Sequence, residues 1–386
     1  MKILQVTSFF RPSWEAGGIA KICYDISKRL TQRGHEVTVY TTDGFKSRVN
    51  VQKNCRVFVE DMNVLYFSNM SLFLASRNLC TPYMAPLIAR KHLEEFDIIH
   101  VHTFRTILAI LIWYYANKYG IPYVLQAHGS VLPFFQKQRL KKVFDFLFGY
   151  SIIKGASKVI ALTQTEAQQY KGMGVLKEKI EVIPNGIDLS EYDHLPPKGT
   201  FKKKFSINGD EKIILYLGRI HESKGLDLLA HGFKIVSKDL SNVRLVVVGP
   251  DDGYAATFAG LLSDLGVSEK VLLTGFVEKE DKLAALVDSN VFVTPRFHGF
   301  PVVFLEACLA GCPIVTTSNE LEWIHDNVGY VTDSSPIALA KAISNVLQDD
   351  LTLERFQDNC RGIIKNFDIS TITSRLEVAY KSVVNR

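Results

Sequence analysis

One stretch decides the fold of this chain: Arg296 to Glu306, read RFHGFPVVFLE. The apolar run before it, Asn290 to Pro295, predicts a short buried strand, and the spacing of Val302, Val303 and Leu309 suits a helix. A strand that turns through Gly-Pro into a helix presents unpaired backbone N–H groups and a positive dipole end to an anion. Such units build parallel α/β sheets, whose ligands bind at the carboxyl ends of the strands.

The alternation of strand and helix extends along most of the chain. Ten apolar runs, separated by helical patterns, are predicted as strands: Lys2–Thr7, Glu36–Thr42, Asp97–His102, Pro122–His128, Lys158–Thr163, Ile213–Leu217, Arg244–Gly249, Lys270–Gly275, Val291–Thr294 and Pro313–Thr317. Regular alternation of this kind predicts the α/β class with doubly wound parallel sheets.

A break in this alternation divides the chain. Between Ile183 and Phe205 the sequence becomes IPNGIDLSEYDHLPPKGTFKKKF, which is rich in turn-forming and charged residues. We therefore predict one Rossmann-like domain over residues 1–183, a second over residues 205–367, and an interdomain linker over residues 184–204. Ligands are expected in a cleft that the carboxyl ends of both sheets face.

The composition argues against several classes of protein. A net charge of +5 over 386 residues, without a concentrated basic stripe, argues against a nucleic-acid-binding protein. The longest apolar run, Ile107 to Ala116, is about half of the roughly 18 residues that a membrane span needs. Gln5 and Arg11 interrupt what would have to be the apolar core of a signal peptide, so we expect a cytoplasmic protein.

Two cations lie in a second predicted strand-to-helix loop, GRIHESKG, which runs from Gly218 to Gly225. Arg219 and Lys224 are five residues apart, and positive charge near a helix N-terminus is unfavourable unless an anion accompanies it. Glu306, about one turn into its own helix, suits paired hydroxyls such as those of a ribose. These residues predict an enzyme that handles a nucleotide-linked substrate. The alternative for Arg219 and Lys224 is a pair of exposed surface charges.

Histidines and glycines follow other predicted strands. Gly17 to Lys21, read GGIAK, either brings backbone close to a ligand at a helix N-terminus or forms a tight turn. It lacks the spacing of the dinucleotide fingerprint, which disfavours a dehydrogenase. His128, before Gly129, either orients a sugar hydroxyl or is a capped structural residue. His100 and His102 share one strand face without a third ligand, so we interpret them as structural.

In order along the chain, these motifs resemble those of the retaining glycosyltransferases of family 4, which have the GT-B fold of two Rossmann-like domains. Seven pieces carry the resemblance, which covers nearly the whole chain: Gly17-Gly18, His128, PNGID at Pro184, GRIHESKG, GPDDGY at Gly249, TGFV at Thr274, and HGFPVVFLEACLAGCPIV from His298. The resemblance implies an N-terminal acceptor-binding domain, a C-terminal sugar-nucleotide domain, and a final helix within residues 368–386 that returns to the first domain.

The resemblance also implies roles for individual residues. The implied donor-binding residues are Gly18, Arg219, Lys224, Val277, His298, Gly299, Val302 and Glu306, and the implied catalytic residues are His128, His298, Arg219 and Lys224. Arg219 and Lys224 stabilise the leaving diphosphate, and Glu306 binds the ribose hydroxyls. His128 contacts the donor sugar near the reacting carbon, and backbone near Val277 binds the base. Catalysis is then electrostatic and positional, with neither a protein nucleophile nor a metal or other cofactor.

One position departs from the family pattern. The pattern places a glutamate eight residues before Glu306, where it touches the hydroxyls of the donor sugar, and this chain has His298 there. A histidine hydrogen-bonds a hydroxyl but supplies no fixed negative charge. Three hypotheses are therefore open: an active transferase, a catalytically weakened sugar-nucleotide binder, and a GT-B epimerase or phosphorylase.

The resemblance implies that a hexose, or a related sugar, moves from a UDP- or GDP-linked donor to a glycan or a lipid-linked acceptor. In the acceptor-binding domain, the stretch Gln136 to Ala156 combines basic side chains with apolar ones. The basic residues are Lys137, Arg139, Lys141 and Lys142, and the apolar residues are Phe144, Phe146, Leu147 and Phe148. Such a stretch suits an anionic membrane surface, which would place the protein at the inner face of the cell membrane. The alternative is a helix with one core face and one solvated end.

Overall fold

The chain forms two compact units. The computed structural model describes three ranges of residues: 1–133, 137–297 and 299–384. The first unit joins Met1–Asp188 to Asp368–Arg386, and the second unit is continuous, Leu189–Phe367. The boundary after Asp188 lies inside the predicted linker 184–204, and most of that segment belongs to the second unit.

The first unit is built on an eight-stranded sheet. Its strands are β1 (Lys2–Val6), β2 (Glu36–Thr42), β3 (Arg56–Val59), β4 (Met62–Phe67), β5 (Ile98–His102), β6 (Tyr123–Gln126), β7 (Lys158–Ala161) and β8 (Ile180–Val182). The strand order is β3-β4-β2-β1-β5-β6-β7-β8, and all neighbours are parallel except the edge pair β3 and β4. Ile98, Ile99 and Val101 of β5 are buried, as the central strand of a covered parallel sheet requires.

The second unit has a six-stranded sheet. Its strands are β9 (Lys212–Leu217), β10 (Val243–Val248), β11 (Val271–Gly275), β12 (Val291–Val293), β13 (Ile314–Thr316) and β14 (Gly329–Val331). They lie in the order β11-β10-β9-β12-β13-β14, and every neighbouring pair is parallel. This is the strand order of the Rossmann fold, in which the direction of winding reverses beside the first strand.

Helices connect the strands of both sheets. Those of the first unit before the boundary are α1 (Gly18–Gln32), α2 (Leu72–Ala75), α3 (Ala85–His92), α4 (Ile107–Tyr119), α5 (Gln138–Phe144), α6 (Tyr150–Gly155) and α7 (Gln164–Gly172). Those of the second unit are α8 (Thr200–Lys204), α9 (Leu226–Asp239), α10 (Ala255–Asp264), α11 (Lys279–Asp288), α12 (Val303–Leu309), α13 (Pro336–Gln348) and α14 (Asp350–Ile363). The last helix, α15 (Ile369–Val384), belongs to the first unit.

Polar contacts fix α15 within the first unit. The Glu377 carboxylate accepts two hydrogen bonds from the guanidinium of Arg33, at 3.0 and 2.8 Å, and lies 2.6 Å from Nε2 of His35. These contacts, the Arg33 hydrogen bond foremost, lower the pKa of Glu377, so the carboxylate stays ionised. The helix is therefore tied to the end of α1 by a charged contact as well as by its buried apolar face, which includes Ile372 and Leu376.

All ten predicted strands are present, with ends that differ by a few residues. Four strands, β3, β4, β8 and β14, were missed. β8 and β14 have only three residues each, and β3 is a half-exposed edge strand, so the apolar periodicity is short or weak in each. β4 is largely buried, but an asparagine in its sequence MNVLYF interrupts the apolar run by which a buried strand is recognised.

The sheets create comparable edges for ligand binding. In the first unit, β1 lies between β2 and β5; in the second, β9 lies between β10 and β12. Connections leave these central strands toward opposite faces, which opens a crevice at the carboxyl ends of the strands. The predicted site residues follow β1 and β6 in the first unit, and β9, β11 and β12 in the second.

Candidate functional site

Two loops of the second unit meet at Gly225. This glycine has a φ of +73°, and a Cβ atom built on it would lie 3.0 Å from Cβ of Pro295 and 3.1 Å from Cγ of Arg296. The backbone N–H of Arg296 also donates to the carbonyl oxygen of Lys224, at 3.3 Å. The absence of a side chain at position 225 thus lets the cationic loop after β9 pack against the motif loop after β12.

Lys224 ends a turn of 3-10 helix, Glu222–Lys224, and is half-buried. Throughout the described part of the chain, no side chain or carbonyl forms a hydrogen bond or an ion pair with its ammonium group. Burial lowers the pKa of Lys224, and the charge of Arg219 lowers it further. A partly dehydrated cation without an anion is energetically costly, and an anionic ligand would remove that cost.

Arg219 differs from Lys224. Its side chain is 64% exposed, and its Nη1 lies 2.5 Å from a carboxylate oxygen of Asp252, in the loop after β10. Arg219, unlike Lys224, therefore already has an anionic partner within the protein. The neighbouring Asp251 accepts hydrogen bonds from three backbone N–H groups, which fixes the GPDDGY loop at the start of α10.

Glu306 is buried in α12, and two side chains that the sequence analysis missed hold it. The Tyr192 hydroxyl donates to its Oε1 at 2.9 Å, and the Lys282 ammonium donates to the same oxygen at 2.5 Å. Among the described residues, none donates a hydrogen bond to the second carboxylate oxygen, Oε2. The carboxylate is thus oriented and charge-balanced by residues of its own unit, while one oxygen is left for hydroxyl groups of a ligand.

The remaining predicted donor residues lie after β11 and β12. Gly299, with a φ of +74°, donates its backbone N–H to Oε2 of Glu320 at 2.7 Å. The carbonyl of Val302 accepts from the N–H groups of Leu305 and Glu306 and so begins α12. Val277 is half-buried after β11. His298 lies outside the described residues.

An exposed aromatic ring stands beside Val277. The side chain of Phe276 is 68% exposed at the carboxyl end of β11, although large aromatic side chains usually contribute to a core. An exposed ring at a ligand-binding edge offers a surface for a planar base. The sequence analysis overlooked Phe276 because it treated TGFV only as a backbone motif.

In the first unit, the N-terminus of α1 is open. The helix begins at Gly18, and Gly17 before it has a φ of +107° and supplies no capping side chain. Both glycines are exposed, and a Cβ atom on either would meet no heavy atom within 4 Å. The first N–H groups of α1 are therefore accessible, as the loop hypothesis for GGIAK requires.

His128 follows β6 in an unusual backbone conformation. Its φ of +54° is in the left-handed region, which a non-glycine residue adopts at an energetic cost. Nε2 of its ring lies 2.9 Å from Nδ1 of His102, and Nε2 of His102 lies 2.8 Å from Oε1 of Gln5. The structure thus brings together His128 and His102, which the sequence analysis had treated separately.

This chain of contacts assigns the protons. The amide oxygen of Gln5 only accepts, so Nε2 of His102 donates to it, and Nδ1 of His102 accepts from Nε2–H of His128. Nδ1 of His128 then carries a lone pair. Burial lowers the pKa of His128 to about 3. Burial, together with the neighbouring rings of His100 and His128, lowers the pKa of His102 well below its ordinary value. Both rings are neutral near pH 7.

The network continues to the C-terminal helix. The Tyr380 hydroxyl of α15 lies 2.7 Å from Nδ1 of His100, and the His100 and His102 rings are 4.2 Å apart. Burial, assisted by His128, lowers the pKa of His100 to about 3. Throughout the described ranges, no three His, Cys, Asp or Glu side chains form a group that could hold a metal ion. The structural interpretation of His100 and His102 agrees with these contacts.

Comparison with known families covers both units. Residues 16–191 match Glycosyltransferase Family 4, and residues 197–362 match Glycosyl transferases group 1. The chain belongs to glycosyltransferase family 4. It is a glycosyltransferase that uses nucleotide sugars, and its fold is GT-B.

Individual relatives of this family 4 glycosyltransferase match it over most of its length. An uncharacterised glycosyltransferase of Methanocaldococcus jannaschii is 26% identical over 90% of each chain. The UDP-Gal:alpha-D-GlcNAc-diphosphoundecaprenol alpha-1,3-galactosyltransferase of Escherichia coli is 26% identical over 82% of each chain. The structure of Anabaena HepE in complex with UDP and glucose superposes with a TM-score of 0.76 at 20% identity, covering 99% of this chain and 100% of HepE.

The glycosyltransferase has no membrane-spanning helix among its described residues. The apolar run from Ile107 to Ala116 forms most of α4, whose buried side chains include Leu108 and Ile112. That stretch therefore contributes to the core of the first unit.

Proposed function

We propose that this glycosyltransferase moves a hexose, or a related sugar, from a UDP- or GDP-linked donor to a glycan or a lipid-linked acceptor with retention of configuration. The expected setting is synthesis of a cell-surface polysaccharide or glycolipid. The observation that carries the proposal is Lys224, a half-buried cation without an anion among the described residues, in a loop bonded to the backbone of the family motif. A diphosphate supplies the charge that Lys224 lacks.

Charges of the second unit serve the donor in this proposal. Lys224 and Arg219 hold the diphosphate and stabilise the negative charge that grows on it as its bond to the sugar breaks. Because Arg219 already pairs with Asp252, Lys224 makes the larger contribution. Glu306 accepts hydrogen bonds from the ribose hydroxyls through Oε2.

The other assigned residues complete the donor site. The backbone at Val277 binds the base, with the exposed ring of Phe276 beside it. Gly299 and Val302 position the sugar and phosphate end of the donor. In the first unit, His128 contacts the donor sugar through its Nδ1 lone pair, and the open N-terminus of α1 at Gly18 stabilises phosphate charge.

The proposed reaction needs no covalent intermediate with the protein. The acceptor hydroxyl attacks the sugar carbon on the face that the diphosphate leaves, and an oxygen of the leaving phosphate takes the acceptor proton. Lys224 stays protonated throughout and stabilises the departing diphosphate. We propose that transfer is independent of metal ions because Lys224, Arg219 and the helix N-terminus of α1 meet the diphosphate charge.

A panel of UDP- and GDP-sugars tests this proposal. We expect one donor to raise the melting temperature most, transfer of that sugar to persist in a chelator, and the product to keep the anomeric configuration of the donor by NMR. An inverted linkage contradicts retention. Loss of transfer in chelator that manganese restores contradicts metal independence. Tight binding of a donor without transfer to any acceptor favours the weakened-binder hypothesis.

We also propose that the protein acts at the inner face of the cell membrane through a basic–aromatic surface on α5 and the π-helical turn Asp145–Gly149. We define this surface by seven exposed side chains: Lys137, Arg139, Leu140, Lys142, Val143, Phe146 and Leu147. Phe146 is 81% exposed, whereas Phe144 and Phe148 pack against the core. The stretch therefore has a face that packs against the core, as a helix with one core face and one solvated end would have. It also has apolar side chains that are open to solvent.

Charge complementarity favours an anionic lipid surface as the partner. The one acidic side chain of the turn, Asp145, is buried and bonded to the guanidinium of Arg105 at 2.8 and 2.7 Å, so it does not offset the exposed basic residues. Apolar side chains rimmed by lysine and arginine bind membranes by insertion together with attraction to anionic headgroups.

Sedimentation with vesicles tests the membrane proposal. We expect binding to vesicles that contain phosphatidylglycerol, weaker binding at high salt, and loss of binding in a Phe146→Ser/Leu147→Ser variant. Leu351→Ser is the matched control, because Leu351 is 80% exposed on α14 of the second unit. Equal binding by the double variant, or none by the wild type, contradicts the proposal.

A further inference from the structure

A carboxylate from outside the family motif lies against the motif backbone. Oε2 of Glu320 accepts the backbone N–H of Gly299 at 2.7 Å, although the two residues are 21 positions apart. Glu320 follows β13, and β13 pairs in parallel with β12, the strand that precedes the motif loop. The neighbouring strands therefore deliver the two loops to the same edge of the sheet.

Further hydrogen bonds hold the Glu320 loop in place. The backbone N–H and the hydroxyl of Thr317 both donate to the carbonyl oxygen of Pro295, at 3.2 and 2.6 Å. The backbone N–H of Ser318 donates to the hydroxyl of Thr316 at 3.2 Å. The half-buried Glu320 side chain thus starts from a loop that is anchored to the motif loop at its base.

The charge of Glu320 restricts what it recognises. Lys224, whose loop contacts the same motif loop, suits a diphosphate, whereas a carboxylate repels one. A carboxylate at a sugar-nucleotide edge instead accepts hydrogen bonds from neutral hydroxyl groups, and it accepts several at once. A histidine, the residue that this chain has at position 298, accepts at most one hydrogen bond and supplies no negative charge.

We propose that Glu320 is the acidic group that recognises hydroxyls of the donor sugar in this chain. This inference rests on the proposed function and deepens it, because it assigns a specificity-determining residue of that same site. Glu320 takes over from another loop the negative charge that the motif position 298 lacks. When the donor binds, the Glu320 carboxylate accepts hydrogen bonds from the sugar hydroxyls, either in place of the Gly299 N–H or in addition to it.

Kinetics of Glu320→Gln and Glu322→Gln test the assignment. Glutamine keeps the shape and one acceptor but removes the charge, and a hydrogen bond to a charged group is worth about ten- to a hundredfold in affinity. We expect Glu320→Gln to lower kcat/KM for the donor by that factor while the Kd of UDP or GDP alone changes less than about threefold. Glu322 is exposed and bonded to no other described residue, so Glu322→Gln should match the wild type.

Moving the charge provides an independent test. His298→Glu returns a carboxylate to the motif position, so the double variant His298→Glu/Glu320→Gln should recover most of the transfer that Glu320→Gln loses. Glu320→Asp, which keeps the charge, should retain more activity than Glu320→Gln. Thermal unfolding of each variant establishes that it is folded.

Three results overturn the assignment. The first is that Glu320→Gln transfers sugar as fast as the wild type. The second is that Glu320→Gln weakens the binding of UDP or GDP alone as much as that of the full donor, which indicates a loop-stabilising role. The third is that the double variant transfers sugar no faster than Glu320→Gln. If the wild type binds a donor without transfer, the proposed function fails, but the affinity ratio of donor to free nucleotide still tests Glu320. That ratio should fall in Glu320→Gln, and an unchanged ratio contradicts the assignment.

Discussion

The two Rossmann-like units carry different chemistry at equivalent edges of their sheets. The edge of the second unit is charged: Lys224 and Arg219 follow β9, and Glu306 follows β12. The edge of the first unit is neutral, because burial lowers the pKa of both His128 and His102 far below pH 7. Strand order alone therefore does not determine the chemistry of a site, which depends on the side chains that each loop contributes.

The difference indicates a division of labour. Fixed charges bind and stabilise a diphosphate in any orientation that brings it close, since electrostatic attraction depends weakly on angle. A neutral histidine in a set tautomer acts only on a group placed for its one lone pair. Substitutions at the charged edge should therefore affect nucleotide binding, and substitutions in the neutral network should affect the transfer step.

The largest effect is expected for Lys224→Ala. Loss of the unpaired cation should slow transfer by about a hundredfold or more, which is the scale for removing one preorganised donor, and should weaken UDP or GDP binding. Lys238→Ala is the matched control, because Lys238 is an exposed lysine on α9 that follows the same loop. Steady-state kinetics and calorimetry measure both quantities. A Lys224→Ala variant with wild-type nucleotide affinity would remove the central argument of the proposal.

The next effect is expected for His128→Ala. Turnover should fall by about ten- to a hundredfold, while the Kd of UDP or GDP changes less than about threefold, because the lost contact is to the sugar. His92→Ala, which removes a half-buried histidine at the end of α3 whose ring contacts Glu95, is the control for removing an imidazole. If His128→Ala weakens the free nucleotide and leaves turnover intact, the two edges do not divide the work in this way.

Glu306→Gln should have a smaller effect, confined to binding. The variant keeps a hydrogen-bond acceptor for Tyr192 but loses the ion pair with Lys282, so UDP and the full donor should both bind about tenfold more weakly. Lys282→Met measures how much of that loss comes from the ion pair rather than from ribose. A change in turnover with unchanged nucleotide binding would move Glu306 from the ribose to the sugar.

The smallest effect concerns stability and the neutral network. The folded-state pKa of His100 is lowered to about 3, whereas the unfolded chain takes up that proton near 6.5, so stability is lost as the pH falls below about 6.5. Between about pH 7.5 and pH 6, the free energy of unfolding should fall by about 1 kcal/mol more in the wild type than in His100→Asn. Denaturant titrations at each pH measure this difference. Parallel pH dependences would show that His100 is protonated in the folded chain.

The fold was predictable because its signals are local. Apolar runs such as the one in β10 and the strand-to-helix motif at Glu306 are readable within a few residues. The partners of the site residues were not predictable. Tyr192 is 114 positions from Glu306, and Gln5 is 97 positions from His102, so no spacing rule links them. Only the folded sheet brings these side chains together.

Local conformation and pairing also escaped the sequence. His128 was chosen as a site residue, but its left-handed backbone conformation is imposed by its surroundings and not by its residue type. Arg219 and Lys224 looked equivalent, yet only Arg219 has a carboxylate beside it, because the loop after β10 brings Asp252 there. Residue type thus identified the candidates, and tertiary contacts distinguished them.

The contact between Tyr380 and His100 has a consequence for biosynthesis. The two residues are 280 positions apart, so at about 5–20 residues per second the ribosome adds Tyr380 roughly 14–56 s after His100. During that interval His100 lacks its partner Tyr380, and the first unit is incomplete because α15 has not yet been synthesised. The second unit is continuous in the chain and is complete once Phe367 has emerged. α15, which is synthesised after the whole of the second unit, therefore closes the unit that began to form first.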